Sequence, residues 1–172
     1  MKFCFTSKPI DKIQSELIVL LQFEGDVPYQ GLVGLLDWRI NGRLSRFVAE
    51  KHYSGRAREA LLMPSEARLK AHDIVILGLG PKEQFEQAFV GQVLDHVLKM
   101  VSDMKISQVC LSVGQMLPGH FEWRNALRLM HSKMQYDYPD INEVIFCESD
   151  ECIREARKRQ MDFGQSVAVD FI

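Results

Sequence analysis

The sequence lacks several features that would assign it to a class at once. No window approaches the roughly 20 apolar residues that a membrane-spanning helix requires, and residues 1–12 lack the continuous apolar run of a signal peptide. Its four cysteines are scattered over 172 residues, so they predict neither a disulfide framework nor a Cys-x-x-Cys metal site. We therefore expect a cytoplasmic protein with reduced, structural thiols and no membrane partner.

The common catalytic motifs are absent as well. The five histidines show no i, i+4 pair of the kind that binds zinc on a helix. The sequence has no Gly-x-Ser-x-Gly nucleophile motif and no Gly-Lys-Ser/Thr phosphate loop. We therefore expect no metal and no cofactor, and the sequence favours a protein that is not an enzyme.

The apolar pattern predicts alternating strands and helices. With 47% hydrophobic and 26% charged residues, the composition is that of an ordinary globular protein, and we expect one domain over residues 1–172. Strands are predicted at 2–7, 16–23, 59–64, 72–81, 107–114 and 142–149, and helices at 32–40, 44–51, 82–104, 121–135 and 150–161. This order favours an α/β fold, with a parallel or mixed sheet covered by helices on both faces.

The sequence "GLGP", residues 78–81, follows the most apolar predicted strand. Open α/β sheets bind ligands at the carboxyl ends of their strands, and glycine there lets backbone N–H groups approach a phosphate. The third glycine of the dinucleotide fingerprint is missing, however. A tight turn is the favoured interpretation, and phosphate binding is the alternative.

Basic residues are concentrated between residues 37 and 70, where eight Lys or Arg face four Asp or Glu. Local charge of this kind can attract an anion or a nucleic acid. The candidates for a nucleic-acid patch are Arg39, Arg43, Arg46, Arg56 and Arg58. A solvated helix face is the favoured interpretation, because lysine and arginine are mostly exposed in any protein.

The stretch "GLVGLLDWRINGRLSRF", residues 31–47, combines three glycines with two apolar runs. Its spacing predicts two short helices joined at Asn41 and Gly42, the pair expected where a helix ends in a left-handed residue. Asp37 is predicted to be a packing or capping residue.

The segment "LDWRINGRLSRFVAEKHYSGRAREALLMP", followed by "DIVILGLGPKEQF", resembles the N-terminal domain of the zinc leucyl aminopeptidases, also called cytosol aminopeptidases. The matching positions are Leu36, Asp37, Gly42, Leu44, the turn at 53–55 and the strand end at 75–80. The resemblance implies a three-layer α/β/α domain with a mixed, mostly parallel sheet, similar in shape to the macro domains that bind ADP-ribose.

The same resemblance bears on catalysis. The metal-binding motif "NTDAEGR" of the family's catalytic domain has no counterpart here, so no catalytic residue is carried over. Residues 162–172 resemble the start of the connector that leads to that domain.

Three functional hypotheses follow. The first is a stand-alone, non-catalytic relative of the aminopeptidase N-terminal domain that acts in assembly or regulation, partnered by itself or by a full-length aminopeptidase. The second is a macro-domain-like binder of a nucleotide or ADP-ribose. In it Asp26 contacts the base or ribose, and the backbones of Gly42, Gly78 and Gly80 contact phosphate. Nucleic-acid binding through the five arginines is third and least favoured.

Overall fold

One sheet of seven strands organises the computed structural model, which describes residues 1–27, 29–117, 122–158 and 168–172. The strands are β1 (Lys2–Thr6), β2 (Ser15–Gln22), β3 (Ala60–Pro64), β4 (Ala71–Gly78), β5 (Gln108–Leu111), β6 (Glu143–Cys147) and β7 (Val169–Phe171). Their order is β3-β4-β2-β5-β6-β1-β7. Only the β3–β4 pair is antiparallel among these strands, which confirms the mixed, mostly parallel sheet.

Helices cover both faces of the sheet. They are α1 (Gly31–Arg39), α2 (Arg43–Ala49), α3 (Val90–Asp103), α4 (Trp123–Tyr136) and α5 (Asp150–Lys158). The core against α3, α4 and α5 includes Leu17, Val19 and Leu21 of β2, whereas Ile18 and Leu20 belong to the core against α1 and α2. The continuous apolar run of β2 thus reflects burial on two faces, and the predicted three-layer α/β/α fold is confirmed.

The predicted helix 82–104 is only partly correct. The α-helix begins at Val90, and the preceding residues form two 3-10 turns at Lys82–Gln84 and Gln87–Phe89. Phe85 and Phe89 match the helical spacing, but Phe85 packs edge-on against Phe23, with ring centroids 5.4 Å apart. This contact with the segment after β2 favours turns over a continuous helix.

The sequence predicts no strand in residues 162–172, but the structure has one there. Val169–Phe171 forms β7, which pairs in parallel with β1, and Phe171 stacks on Phe5 with ring centroids 5.3 Å apart. Three residues are too few to show an alternating pattern. Residues 162–167 lie outside the described residues, as do 159–161 of one predicted helix and Phe121 of another.

The joint between α1 and α2 agrees with the prediction. Asn41 and Gly42 both have positive φ, 61° and 67°. Asp37 of α1 accepts hydrogen bonds from the backbone N–H groups of Leu44 at 2.8 Å and Ser45 at 3.2 Å, which confirms it as a cap of α2. The four cysteines are free thiols, and three of them are buried. None of the described helices is long and apolar enough to cross a membrane.

Candidate functional site

Two adjacent strands, β2 and β5, continue to opposite faces of the sheet. The chain runs from β2 to α1 on one face and from β5 to α4 on the other. Such a topological switch point is where open α/β sheets bind ligands. A cleft of about 490 Å³ opens there, which we call the switch-point cleft. Its lining residues include Asp26, Tyr29, Gly31, Leu32, Val33, Lys82, Gln115 and Met116.

One wall of the switch-point cleft is electropositive. The first turn of α1 contains no acidic residue, and Gln30 before it makes no side-chain capping hydrogen bond. The first N–H groups of a helix have no intrahelical acceptor, and they carry the positive end of its dipole. The ammonium group of Lys82 lies in the same cleft, 5.9 Å from the centroid of the Phe23 ring. This wall suits an anion.

Gln22, at the end of β2, fixes the segment that follows it. Its buried amide donates hydrogen bonds to the carbonyl oxygens of Phe23 at 2.9 Å and Asp26 at 3.3 Å. Sequence reasoning missed Gln22. The available signal was a lone amide side chain directly after the apolar run at residues 17–21.

A second missed residue, Glu148, follows β6 directly. Its side chain is almost fully buried, with 2% of the residue exposed. It accepts hydrogen bonds from the N–H groups of Val113 at 2.7 Å and Gly114 at 3.1 Å, and from the Ser112 hydroxyl at 3.3 Å. Burial raises the pKa of Glu148 to about 7, although these hydrogen bonds act to lower it. The N–H groups after β5 are thus satisfied by an internal carboxylate, so the electropositive wall of the switch-point cleft is the one beside α1.

A second cleft, of about 440 Å³, lies on the other side of the segment after β2. We call it the tyrosine cleft, because Tyr29 and Tyr53 line it together with Phe23, Asp26, Val48, Lys51, Arg56 and Glu59. Tyr53 is 1% exposed, and its hydroxyl has no hydrogen-bond partner among the described residues. Burial raises the pKa of Tyr53 and brings that of Tyr29 to about 12. Both phenols therefore remain protonated at neutral pH.

Glu59 belongs to the wall of the tyrosine cleft, but its Oε2 is already used. It accepts hydrogen bonds from the Ser54 N–H at 3.0 Å, the Ser54 hydroxyl at 2.9 Å and the Arg56 N–H at 3.1 Å. Burial acts to raise the pKa of Glu59, but these hydrogen bonds outweigh it and the net shift is downward. Glu59 is thus a carboxylate that holds the 54–56 turn.

The four predicted ligand-binding residues lie in different surroundings. Asp26 lines both clefts, whereas Gly42 lies at the α1–α2 joint with open space where a Cβ would be. A Cβ on Gly78 would lie 2.1 Å from the Arg56 carbonyl oxygen, and the Gly80 N–H donates to the Gly55 carbonyl at 2.9 Å. Gly78 and Gly80 therefore accommodate the neighbouring 55–57 turn.

The five arginines of the predicted nucleic-acid patch also lie in different surroundings. Three of them form ion pairs within the chain: Arg39 with Asp11 at 2.9 Å, Arg43 with Glu66 at 3.0 Å and Arg56 with Glu24 at 3.8 Å. Arg46 is exposed on α2, whereas Arg58 lines a groove beside α3 on the other side of the sheet. Within the described ranges, no cluster of three or more His, Cys, Asp or Glu residues could hold a metal ion.

The same mixed sheet between two helical layers occurs in solved structures of macro domains. The chain superposes on the macro domain of ganglioside-induced differentiation-associated protein 2 with a TM-score of 0.71 and 18% identity, covering 95% of this chain and 85% of that one. It superposes on a Trypanosoma brucei macrodomain in complex with ADP with a TM-score of 0.71 and 14% identity, covering 95% and 69%. At such low identity these matches show the fold.

Sequence comparison identifies the family. Residues 19–124 match the sequence model of the cytosol aminopeptidase family, N-terminal domain. A probable cytosol aminopeptidase of Sulfurihydrogenibium is 23% identical over 114 residues, which are 66% of this chain and 23% of that protein. A mutant tomato leucine aminopeptidase superposes with a TM-score of 0.63 and 11% identity, covering 93% of this chain and 35% of that one. The chain belongs to the cytosol aminopeptidase family through its N-terminal domain, and it spans less than a quarter of the first of these relatives.

Proposed function

We propose that this chain is a non-catalytic module of the cytosol aminopeptidase family that acts in assembly or regulation, together with an aminopeptidase of that family or with a second copy of itself. The supporting observation is that the chain matches only the N-terminal part of its relatives. Residues 19–124 correspond to the family's N-terminal domain, and the chain covers 35% of the tomato enzyme while 93% of the chain itself is matched. The relatives' name, cytosol aminopeptidase, also supports a cytoplasmic location.

Two measurements test this proposal. The purified chain should not hydrolyse leucyl p-nitroanilide with added Zn²⁺ or Mn²⁺, and metal-dependent hydrolysis that is retained through purification would overturn its non-catalytic part. Co-expression with the full-length aminopeptidase of the same organism should give a complex in size-exclusion chromatography with light scattering. Two separately eluting monomers, with the enzyme's kcat/KM unchanged by addition of the chain, would contradict assembly and regulation together.

A second candidate function is binding of a phosphate-bearing nucleotide, such as ADP or ADP-ribose, in the switch-point cleft. The specific observation in its favour is that Lys82 and the uncapped start of α1 line the same cleft. An ammonium group and a helix N-terminus both stabilise a bound phosphate. A related fold, the Trypanosoma brucei macrodomain, has been solved with ADP.

Calorimetry with ADP and ADP-ribose tests this candidate. Lys82→Gln should raise the Kd about tenfold, as expected for the loss of a hydrogen bond to a charged group. Lys12→Gln, at an exposed side chain that does not line the switch-point cleft, is the matched control and should leave the Kd unchanged. Absence of heat with both nucleotides, or equal affinity of the wild type and Lys82→Gln, would reject the switch-point cleft as their site.

A further inference from the structure

Strand β3 lies at one end of the sheet and, among the described strands, pairs only with β4. Such an edge strand presents a row of backbone groups that can pair with another chain, and proteins usually protect it with charged side chains. The five residues of β3, ALLMP, are all uncharged, and Leu62 is 54% exposed. The outer edge of β3 is therefore apolar and open to contact.

The hydrogen bonds at the two ends of β3 fix which of its residues face outward. The Gly78 N–H donates to the Glu59 carbonyl at 2.7 Å, and the Ser65 N–H donates to the His72 carbonyl at 3.0 Å. Residues that bond to the neighbouring strand alternate along an antiparallel ladder. The odd-numbered residues of β3 thus direct their backbone groups to β4, and the even-numbered residues direct theirs outward. The outward-facing residues are Ala60, Leu62 and Pro64.

The outward-facing groups of Pro64 are not available for pairing. Proline has no N–H, and the Pro64 carbonyl accepts a hydrogen bond from Arg43 Nη1 at 3.0 Å. Ala60 and Leu62 are both exposed, and within the described part of the chain no hydrogen bond reaches the outward N–H or carbonyl of either. The open edge therefore consists of two donors and two acceptors.

A second copy of β3 matches these four groups. If two copies run antiparallel with Leu61 of one opposite Leu61 of the other, then Ala60 of each copy lies opposite Leu62 of the other. Each Ala60–Leu62 pair then exchanges two hydrogen bonds, so that every open donor and acceptor is used and Pro64 lies outside the pairing. The side chains that meet across the contact are all apolar. The edge is thus self-complementary, as a two-fold symmetric dimer requires.

The charges at the ends of β3 favour the same direction of pairing. Arg58, just before the strand, is exposed and has no ion-pair partner among the described residues. Glu66, just after the strand, has a side chain that is 55% exposed. Antiparallel pairing brings Arg58 of each copy to the end that carries Glu66 of the other, whereas parallel pairing would place like charges side by side.

We propose that two copies of this chain associate through β3 in this antiparallel register, which joins their two seven-stranded sheets into one. The inference rests on the assembly function proposed above and identifies a second copy as one partner. Because the contact is short, the dimer is reversible, with a Kd on the order of 10–100 µM.

Sedimentation equilibrium of the full chain tests the association. Up to about 500 µM, several times the expected Kd, the mass should rise from 19.8 kDa toward twice that value. Leu62→Lys places a charge on the open edge and should raise the Kd at least tenfold. Tyr136→Lys, at a residue 75% exposed on α4, is the matched control and should dimerise as the wild type does.

A mass of 19.8 kDa at every concentration, or an unchanged Kd for Leu62→Lys, would overturn the inference. A chain that stays monomeric alone but forms a complex with the aminopeptidase would overturn this inference only and leave the proposed function standing.

Disulfide cross-linking tests the register and does not depend on the lysine variant. In the proposed dimer the two Leu61 residues form a non-hydrogen-bonded pair with Cα atoms about 4.5 Å apart, a distance that a disulfide spans. The background is Cys152→Ser, because Cys152 is only partly buried, unlike the other three cysteines. Leu61→Cys should form a disulfide-linked dimer under mild oxidation, and Leu62→Cys, about 7–8 Å from its counterpart, should cross-link more slowly. Faster cross-linking of Leu62→Cys, or none with either variant, would overturn the register.

Discussion

The carboxylate of Glu148 accepts a hydrogen bond from the backbone N–H of Val113 at 2.7 Å, across 35 residues of sequence. This contact ties the end of β6 to the segment after β5. A Cβ on Gly114 would lie 3.1 Å from Glu148 Oε2, so glycine allows the carboxylate to approach the backbone closely. The structure therefore buries a titratable carboxyl group against the segment after β5, and the next residues of that segment, Gln115 and Met116, line the switch-point cleft.

Glu148→Gln should reduce the dependence of stability on pH. Burial raises the pKa of Glu148 from 4.5 to about 7, so between these values the folded state binds more protons than the unfolded state. Its contribution therefore lowers the free energy of unfolding as the pH rises from 4.5 to about 7, and stays constant above that. The shift corresponds to a change on the order of 3 kcal/mol.

Urea unfolding at a series of pH values measures this effect. Glu148→Gln, whose amide oxygen can still accept from Val113 and Gly114, should gain stability relative to the wild type as the pH rises to 7. Glu151→Gln, at an exposed position on α5, is the control. A constant stability difference between Glu148→Gln and the wild type over this pH range would show that Glu148 does not titrate there.

Asp37→Ala should destabilise the protein by roughly 1–2 kcal/mol, the usual cost of losing a helix cap. The substitution removes the acceptor for the N–H groups of Leu44 and Ser45. Chemical denaturation measures the loss, and Asp37→Asn, which retains one oxygen, should recover part of it. Asp140→Ala, at an exposed acid, should change stability by less than about 0.5 kcal/mol. A similarly small effect of Asp37→Ala would remove Asp37 as the cap.

Gly78→Ala should be among the most damaging single substitutions. The added Cβ would lie 2.1 Å from a backbone oxygen, which cannot move as a flexible side chain can, so we expect a loss of more than about 3 kcal/mol or no folded protein. Gly91→Ala is the matched control, because its Cβ would lie 3.3 Å from the end of the Leu129 side chain and alanine favours the α3 helix. Thermal unfolding that ranks the two variants in the opposite order would contradict the tight approach of the 55–57 turn.

Arg39→Met should destabilise the fold by about 1–2 kcal/mol. Arg39 lies 2.9 Å from Asp11, whose side chain is only 3% exposed, and removing the guanidinium leaves that carboxylate with weaker compensation. The Arg39 side chain is 34% exposed, so solvent screening moderates the loss. Arg46→Met, on the exposed face of α2, should stay within about 0.5 kcal/mol of the wild type. Equal stability of the two variants in urea titrations would show that the ion pair contributes nothing measurable.

Much of the fold could be predicted because its signals are local. The apolar run of β2 and the Asn41-Gly42 joint follow from neighbouring residues, and both appear in the structure. Gln22 and Tyr53, which line the clefts, and Glu148, which holds the segment after β5, could not be predicted in the same way. Each is a single polar residue whose role depends on contacts between elements far apart in sequence, and periodicity carries no information on such contacts.

Phe23, Asp26, Val27 and Tyr29 belong to the walls of both clefts. A ligand that fixes these side chains on one side therefore also sets the surface presented on the other. If both clefts are occupied, the two binding equilibria are coupled. The factor by which the first ligand changes the affinity for the second then equals the factor by which the second changes the affinity for the first. Through this one short segment, the affinity of each cleft would depend on whether the other cleft is occupied.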